Sequence, residues 1–430
     1  MRPAKSRIES MTPSREPKPI QKPAREISHG LRIVSIVNAS GGSGISGLEH
    51  SLALAERGHR VTMLTYSENS LPRVAHPNLA VRAVEPVFWG GTPYPDLVMC
   101  FAAAIRDSAA EGPVDIIHAH YAVTHGEAAI LGHDAIVQDF RSPEDHHRPA
   151  VVITCRGTDV TRFATDPRVA PALRYILSRA HGLTFVSKSL QSLAVRQLQL
   201  TQQGRVIPNF LRARNSPPVP CNDVFPSSFC ESVVFFHVSN FSIIKNVSWI
   251  VRAFDAALRL RRVGSIQFKL LLVGDGPTRK AAEELAQQLG ISNDVVFVGT
   301  VPYEQIREIV SQGDVLLMAS DAEGCPRVVL EAMAEGKPVI GTNVDGLNEV
   351  INDGHTGQLC PPGDLQFYAA TILGFANDEF SRRQLGSGGR AEFERRYNNC
   401  AMVMSAYEEV YEQALARSNT CTQGDLCGRS

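Results

Sequence analysis

The sequence predicts an α/β protein with two Rossmann-like domains, each a parallel sheet covered by helices, that face each other across a cleft. Three observations support this prediction. The chain has 430 residues, of which 43% are hydrophobic, so it can form two domains of roughly 150 to 200 residues each. Short apolar runs alternate with longer amphipathic segments, as in parallel sheets whose strands are joined by helices. This alternation occurs twice, on either side of a proline-rich stretch.

The first domain is predicted over residues 31–207. It opens with a buried strand, a glycine loop, a helix and a second strand, which together make a βαβ unit. The predicted elements are strand 31–37, glycine loop 41–47, helix 48–57 and strands 61–65, 115–119, 151–155 and 182–187.

The second domain is predicted over residues 232–400, after a linker at 208–231 in which five prolines interrupt the periodicity. Strands and helices alternate in it as they do in the first domain. The predicted elements are strand 233–238, helix 247–262, strand 268–273, helix 278–289, strand 295–298, helix 303–312 and strand 314–318.

The two ends of the chain are predicted to differ in order. Residues 401–418 have the pattern of a C-terminal helix, and 419–430 form a flexible tail. Residues 1–30 are rich in proline and basic residues and poor in apolar ones, which predicts a disordered extension. A targeting peptide is the weaker alternative, because this segment also contains acidic residues.

Composition excludes several classes of function. The formal net charge of -1 provides no global attraction for nucleic acid or for an anionic membrane surface. No apolar run approaches the roughly 20 residues that a transmembrane helix needs. The nine cysteines have neither C-x-x-C pairs nor zinc-site spacing, so we expect reduced thiols, no metal and a cytoplasmic protein. A homodimer is left open.

Two glutamates eight positions apart are the most informative feature of the chain. Glu323 is predicted on a loop and Glu331 on the apolar helix that follows, with Ser320 and Asp321 as candidate helix caps and Pro326 in the first turn. The amides of that helix would face an anion, which is typical of a nucleotide-sugar site. One glutamate would bind ribose hydroxyls and the other would orient the sugar. The alternative is a buried helix with solvated or capping glutamates.

The glycine loop has a second interpretation. Gly42, Gly44 and Gly47 fit G-x-G-x-x-G, the fingerprint of nicotinamide-dependent oxidoreductases. Those enzymes need an acidic residue at the end of the second strand. Tyr66 and Ser67 stand there, and Glu68 follows one position late. The fingerprint alone is therefore weak evidence for a dinucleotide.

The run from Glu323 to Ile340, with Gly274–Pro277 and Val296–Gly299, resembles the two-glutamate motif of the retaining glycosyltransferases of family 4. This resemblance implies the GT-B fold, in which a C-terminal helix returns to the first domain. It also implies metal-independent transfer of a sugar from a nucleotide diphosphate, with no cofactor beyond that co-substrate.

The first domain resembles one branch of this family more closely. Matching blocks include Gly41–Gly44, His118–His125, Gly157–Val160 and Asn209–Phe210. The branch comprises the N-acetylglucosaminyl L-malate synthases of the bacillithiol pathway. The resemblance implies UDP-N-acetylglucosamine as donor and a small hydroxy acid such as L-malate as acceptor.

The resemblance also implies a set of site residues. Lys245, Glu323 and Arg156 are the predicted catalytic residues, and Lys245 neutralises the diphosphate. The predicted acceptor-binding residues are Ser43, Tyr121, Arg156 and Asn209. The predicted donor-binding residues are Gly42, Ser43, Gly44, Asn240, Lys245, Gly276, Glu323, Gly324, Cys325, Pro326, Arg327 and Glu331.

Two positions depart from the family pattern. Asn240 stands where many members have an arginine, and Arg327 either supplies the missing charge or caps a surface. Arg156 stands where the branch has a histidine, and it would favour an anionic group. His118, His120 and His125 are expected to be satisfied core or cleft histidines rather than metal ligands. A glycosyltransferase with another acceptor, an oxidoreductase and a non-catalytic sugar-binding paralogue remain alternatives.

Overall fold

The computed structural model describes most of the chain between residues 30 and 420. The residues outside the description are 1–29, 40, 68–70, 85–87, 90–91, 94–95, 140–147, 213–223, 227–228, 230, 263, 265 and 421–430. The predicted disordered extension, the middle of the predicted linker and most of the predicted tail therefore lie outside the described residues.

The first sheet has seven strands in the order β3-β2-β1-β6-β7-β8-β9, and all of its paired strands are parallel. Its strands are rich in buried β-branched residues, because helices cover both faces. A separate antiparallel hairpin consists of β4 and β5. The strands are β1 (Arg32–Ile36), β2 (Arg60–Thr65), β3 (Leu79–Ala83), β4 (Phe88–Trp89), β5 (Thr92–Pro93), β6 (Ile116–His120), β7 (Ala150–Cys155), β8 (Gly182–Phe185) and β9 (Arg205–Val206).

The second sheet has six parallel strands in the order β12-β11-β10-β13-β14-β15. Both sheets are thus doubly wound, since the chain reverses its direction of travel beside β1 in one and beside β10 in the other. Ligands of such sheets bind at the carboxyl ends of the strands beside this switch point. The strands are β10 (Val233–Val238), β11 (Phe268–Val273), β12 (Val295–Gly299), β13 (Val315–Met318), β14 (Val339–Thr342) and β15 (Gly357–Cys360).

Helices connect the strands in both domains. The helices of the first domain are α1 (Gly41–Glu56), α2 (Leu97–Ala110), α3 (Glu127–Asp139), α4 (Thr158–Thr161), α5 (Ala170–Arg179) and α6 (Lys188–Leu198). Those that follow are α7 (Val247–Leu260), α8 (Arg279–Gln288), α9 (Tyr303–Gln312), α10 (Arg327–Ala334), α11 (Leu347–Val350), α12 (Leu365–Asn377), α13 (Glu379–Arg396) and α14 (Cys400–Thr420). Among the described residues, no helix is both long and apolar enough to cross a bilayer.

The structure confirms the predicted α/β class with two parallel sheets, and it corrects the prediction for the glycine loop. Residues 41–47 are the first two turns of α1 rather than a loop. A Cβ atom on Gly47 would lie 2.4 Å from Cγ1 of Val37, and one on Gly44 would lie 2.7 Å from the carbonyl oxygen of Asn38. These glycines therefore let the helix pack closely on the end of β1.

Helix α14 packs on β7 and β8 of the first sheet, although it follows the second domain in the sequence. The Tyr411 hydroxyl and His118 Nδ1 are hydrogen-bonded at 2.8 Å. Arg57 forms a two-pronged ion pair with Glu408, with both distances 2.7 Å, and Ser418 Oγ donates to the carbonyl of Pro149 at 3.1 Å. The helix is thus attached to the first domain along its length.

Replacing Gly47 with alanine should destabilise the protein. The added methyl group would overlap the buried Val37 side chain, and such overpacking costs about 1 to 3 kcal/mol. The measurement is the urea midpoint of unfolding. The matched control is Gly374→Ala in α12, where no atom lies within 4 Å of the added carbon and alanine favours the helix. An equal effect of both substitutions on the midpoint would contradict the packing role of Gly47.

Candidate active site

The switch points of the two sheets face each other, and the segments that leave their strands form the candidate site. In the second domain these are the loop 239–246 after β10 and the loop 319–326 after β13. The first domain contributes the start of α1, the turn after β6 and the segment after β7. The domains approach closely here, because a Cβ atom on Gly324 would lie 2.1 Å from the carbonyl oxygen of Arg156.

Lys245 and Glu323 are brought together by the two loops of the second domain. Lys245 Nζ lies 2.6 Å from Glu323 Oε1, which also accepts from Ser320 Oγ at 2.6 Å. Asn246 holds the loops in register, since its Nδ2 donates to the Ala319 carbonyl at 3.1 Å and to Asp321 Oδ1 at 2.5 Å. The charge of Lys245 is thus balanced by the first glutamate of the motif.

The predicted helix caps are wrong. Helix α10 begins at Arg327 after Pro326, and no side chain caps its N-terminus. Ser320 and Asp321 are engaged by Glu323 and Asn246 instead, because the loop between β13 and α10 is held against the loop after β10. In the part of the chain that the structure describes, no side chain caps the amides of the first turn, and that of Val329 donates to the Pro326 carbonyl at 3.1 Å. A helix N-terminus without a side-chain cap suits an anion.

Gly276 and its neighbour Gly274 position the loop after β11 against the loop after β10. Their φ angles are +153° and +128°, and added Cβ atoms would lie 2.1 Å from the Asn240 carbonyl oxygen and 1.8 Å from that of Ser239. Only glycine allows this approach. Asn240, which is exposed, and Gly276 therefore lie side by side at the rim of the candidate donor site.

Glu331, the second glutamate of the motif, lies in a buried polar cluster between the domains. Arg327 Nε donates to Glu331 Oε1 at 3.1 Å, and the terminal nitrogens of Arg327 donate to Glu49 of α1 at 2.8 and 2.7 Å. The Tyr303 hydroxyl contacts Arg327 and lies 3.4 Å from Glu49 and 3.5 Å from Glu331. Arg327 is only 7% exposed and Glu331 2%, so the alternative that Arg327 caps a surface is wrong.

Burial and charge act in opposite directions within this cluster. Burial raises the pKa of Glu331, against the opposing effect of the Arg327 charge. Burial also lowers the pKa of Arg327, but the two glutamates outweigh it and hold that pKa above its ordinary value. The guanidinium is thus fixed as a cation by carboxylates from both domains. Sequence reasoning missed Glu49 and Tyr303, and the only signal for Glu49 was a carboxylate on a largely apolar helix.

Arg156 lies in the cleft between neutral partners. Its NH1 donates to Asn209 Oδ1 at 2.9 Å and its NH2 to His120 Nδ1 at 2.5 Å. Asn209 Nδ2 in turn donates across the domain contact to the Cys325 carbonyl at 2.7 Å. Among the described residues, no carboxylate contacts the guanidinium, and its buried Nε has no acceptor. Burial lowers the pKa of Arg156.

Tyr121 and Ser43 line the first-domain side of the cleft. Tyr121 has a φ angle of +143°, a conformation that costs backbone energy in a non-glycine residue and is concentrated at functional sites. Its hydroxyl is hydrogen-bonded to Thr158, and burial raises its pKa to about 12. Ser43 Oγ accepts from Asn38 Nδ2 at 2.8 Å. The structure therefore places all four predicted acceptor-binding residues on the first-domain side.

Three buried histidines lie beside Arg156, namely His50, His118 and His120, with one ligand atom of each within 4.8 Å of the others. Such a cluster has the composition of a metal site, which the sequence did not predict. Both ring nitrogens of His118 are occupied, by Tyr411 at 2.8 Å and Thr154 at 2.7 Å. The neighbouring guanidinium also repels a divalent cation, so the absence of a metal stays our prediction. His125 lies apart and bonds the His120 carbonyl at 3.3 Å.

A further polar contact joins the domains beside the site. The Glu349 carboxylate accepts from the backbone N–H groups of Lys188 and Ser189 at 2.8 and 2.7 Å. These groups are at the N-terminus of α6, where a helix stabilises negative charge. Glu349 of the second domain thus docks on a helix of the first.

Comparisons with known proteins agree with this architecture. The family model described as "Glycosyltransferase Family 4" matches residues 40–213, and the model "Glycosyl transferases group 1" matches residues 226–392. The N-acetyl-alpha-D-glucosaminyl L-malate synthase of Bacillus anthracis is 30% identical over 378 residues, which cover 87% of this chain and 94% of that protein.

Two solved structures have the same fold. Sucrose-phosphate synthase from Thermosynechococcus elongatus superposes with a TM-score of 0.72 at 23% identity, over 90% of this chain and 100% of that one. Anabaena HepE in complex with UDP and glucose superposes with a TM-score of 0.65 at 18% identity, over 89% and 99% of the two chains. Two doubly wound domains facing a cleft therefore define a GT-B protein here.

The chain belongs to the glycosyltransferases of family 4. It is accordingly an enzyme that transfers a sugar, and the oxidoreductase alternative suggested by the glycine pattern is not supported.

The buried histidines should make the protein less stable in mild acid. Burial, with the nearby charges, lowers the pKa of His118 to about 3 and lowers those of His50 and His120. Unfolded histidines titrate at about pH 6.5, so below that pH the unfolded chain binds protons that the folded chain does not. The contribution of these histidines to the free energy of unfolding is fully present above about pH 6.5. As the pH falls from there toward the folded pKa values, it decreases by up to about 1.4 kcal/mol per pH unit for each histidine.

Urea unfolding at a series of pH values between about 7.5 and 5 measures this slope. The control is His118→Gln, which keeps a side chain able to bond Thr154 and Tyr411. This variant should lose stability less steeply with falling pH, by the contribution of one histidine. Identical slopes for the two proteins would contradict the assignment.

Proposed function

We propose that this glycosyltransferase moves N-acetylglucosamine from UDP-N-acetylglucosamine to the hydroxyl group of a small hydroxy acid such as L-malate, with retention of configuration. The observation on which the proposal rests is Arg156, a guanidinium in the cleft without a carboxylate partner among the described residues. The name of the Bacillus anthracis relative supports the transferred sugar and the acceptor.

The second domain offers a donor site of suitable chemistry. The uncapped N-terminus of α10 and Lys245 are groups that bind a diphosphate. Lys245 is paired with Glu323 at 2.6 Å. A diphosphate, with more negative charge than one carboxylate, would draw Lys245 toward itself. Glu323 would then be released to accept hydrogen bonds from the hydroxyl groups of the sugar, while Glu331 binds the ribose.

The first domain offers a site for an anionic acceptor. Asn209 and His120 fix the plane of the Arg156 guanidinium, so its remaining N–H groups are preorganised. Among the described residues, the neighbouring carboxylate of Asp159 accepts from the backbone N–H of Arg156 rather than from its guanidinium. A substrate carboxylate could therefore contact the guanidinium directly and pair with its planar fork in a two-pronged manner. Ser43 and Tyr121 lie on the same side of the cleft and can hold the rest of a small acid.

Same-face substitution accounts for retention without a protein nucleophile. The bond between the anomeric carbon and the β-phosphate oxygen breaks, and the acceptor oxygen bonds that carbon on the same face. The proton of the acceptor hydroxyl passes to the departing phosphate oxygen, which leaves as UDP. The protein supplies position and charge stabilisation, the latter chiefly from Lys245 and the α10 amides.

Replacing Lys245 with alanine should lower turnover more than donor binding. Negative charge grows on the diphosphate as the sugar bond opens, and losing one preorganised charge costs roughly a hundredfold or more in kcat. The matched control is Lys269→Ala. It removes an ion pair with Asp294 (2.7 Å) near the amino end of β11, whereas the candidate site lies at the carboxyl ends of the strands. Equal losses in donor affinity and turnover would indicate a binding role for Lys245 alone.

Replacing Arg156 with glutamine should raise the KM of malate while leaving that of the donor unchanged. A lost charge-assisted hydrogen bond corresponds to about a 10- to 100-fold increase. The matched control is Arg162→Gln, an exposed arginine at the end of α4. If the KM of malate stays the same in Arg156→Gln, the carboxylate is bound elsewhere.

A donor and acceptor screen tests the proposal as a whole. UDP-, GDP- and ADP-sugars are compared by thermal shift, and product mass is then measured on the best donor with malate, other hydroxy acids and neutral sugars. A malate glycoside supports the proposal. A product formed only with neutral acceptors would overturn the acceptor assignment, and donor binding without any product or donor hydrolysis would favour a non-catalytic sugar-binding protein.

A further inference from the structure

Glu331, the carboxylate proposed to bind ribose, is paired with Arg327, and Arg327 is also paired with a residue of the other domain. Arg327 and Glu331 lie one turn apart on α10 of the second domain, and Glu49 belongs to α1 of the first. Arg327 is divided between them, because Nε contacts Glu331 while both terminal nitrogens contact Glu49. Two carboxylates from different domains thus compete for one buried guanidinium.

Because Arg327 is shared with Glu49, it does not engage both carboxylate oxygens of Glu331. Among the described residues, the hydrogen bonds to its carboxylate fall on Oε1, from Arg327 at 3.1 Å and Tyr303 at 3.5 Å. A guanidinium that faced only Glu331 would turn its fork onto both oxygens, since two-pronged pairing is the favoured geometry. Glu49 prevents this by holding both terminal nitrogens at 2.8 and 2.7 Å.

We propose that Glu49 is a positioning residue for the nucleotide site: it holds Arg327 from across the domain contact and thereby keeps Glu331 open to the ribose of the donor. This inference rests on the proposed nucleotide-sugar function.

The position of Glu49 couples the two domains. Glu49 lies on the same helix as the glycine-rich turns, and a Cβ atom on Gly42 would be 3.8 Å from Cβ of Arg327. Movement of α1 away from the second domain would therefore separate Glu49 from Arg327 together with the glycines. Arg327 would then fold back onto Glu331 and compete with the ribose. The donor site is complete only while the first domain is in place.

The test is UDP affinity by calorimetry, with steady-state kinetics, on the full chain. Glu49→Gln should raise the Kd of UDP and the KM of the donor by about 10-fold or more, the effect of losing one charge-assisted bond, while kcat at saturating donor changes little. Glu49→Asp should restore much of the affinity.

The matched control is Glu56→Gln on the same helix, whose ion pair with Arg212 (2.5 Å) involves neither α10 nor the motif. Glu56→Gln should leave UDP binding unchanged. A Glu49→Gln variant that melts earlier but binds UDP normally would show that the pair only joins the domains. Failure of Glu49→Asp to recover binding would also overturn the inference.

Glu331→Gln separates this inference from the proposed function. If it weakens UDP binding and Glu49→Gln does not, the ribose assignment stands and only the role of Glu49 fails. If UDP binds equally to the unmodified chain and to Glu331→Gln, or to neither, the nucleotide assignment of Glu331 itself fails.

Discussion

The burial of charged side chains at the contact between the domains determines how the cleft is arranged. A buried ion needs a partner, because desolvation costs several kcal/mol that only close opposite charge or hydrogen bonds offset. Three cations of the cleft, among the residues that the structure describes, meet this requirement to different degrees. Arg327 has two carboxylates, Lys245 has one, and Arg156 has a neutral imidazole and an amide. Lys245 and Arg156, which have fewer carboxylate partners than Arg327, are the cations that face the proposed substrates.

The difference in partners among these cations explains how departures from the family pattern can be tolerated. An arginine at position 156 would be costly in a dry core, but here it borders the cleft and is held by Asn209 and His120. Its pKa is lowered by burial, so the folded protein would be stabilised by any anion that binds there. Asn240 supplies no charge, and Arg327 is paired with Glu49 and Glu331, so Lys245 and the α10 amides are the groups proposed to bind a diphosphate.

The sequence was sufficient to predict the two sheets, because apolar periodicity reports burial directly. Strand β10 was predicted with the same bounds, 233–238, and helix α9 likewise, 303–312. The start of α1 was not predicted, since glycine is read locally as a helix breaker, whereas here its lack of a side chain permits contact with Val37. The predicted helix caps were wrong for a related reason, because Asp321 contacts Asn246 of another loop instead.

The candidate site was predictable in composition but not in its pairings. Motif residues such as Lys245, Glu323 and Arg156 could be selected by chemistry and resemblance. The roles of Glu49 and Tyr303 depend on which helix of the first domain meets α10, and no local pattern encodes that. Sequence spacing reports neighbours along one element, and a contact such as Glu49 with Arg327 joins residues 278 positions apart.

The attachment of α14 to the first sheet has a consequence for synthesis of the chain. His118 and Thr154, which are hydrogen-bonded to each other, are synthesised early. Tyr411, which also bonds His118, is synthesised almost 300 residues after it. The face of β7 and β8 therefore stays uncovered on the ribosome while the whole second domain emerges. Long-range closure of this kind slows folding and exposes apolar strands in the meantime. The nascent first domain is consequently a stage at which apolar strand surface is exposed to aggregation.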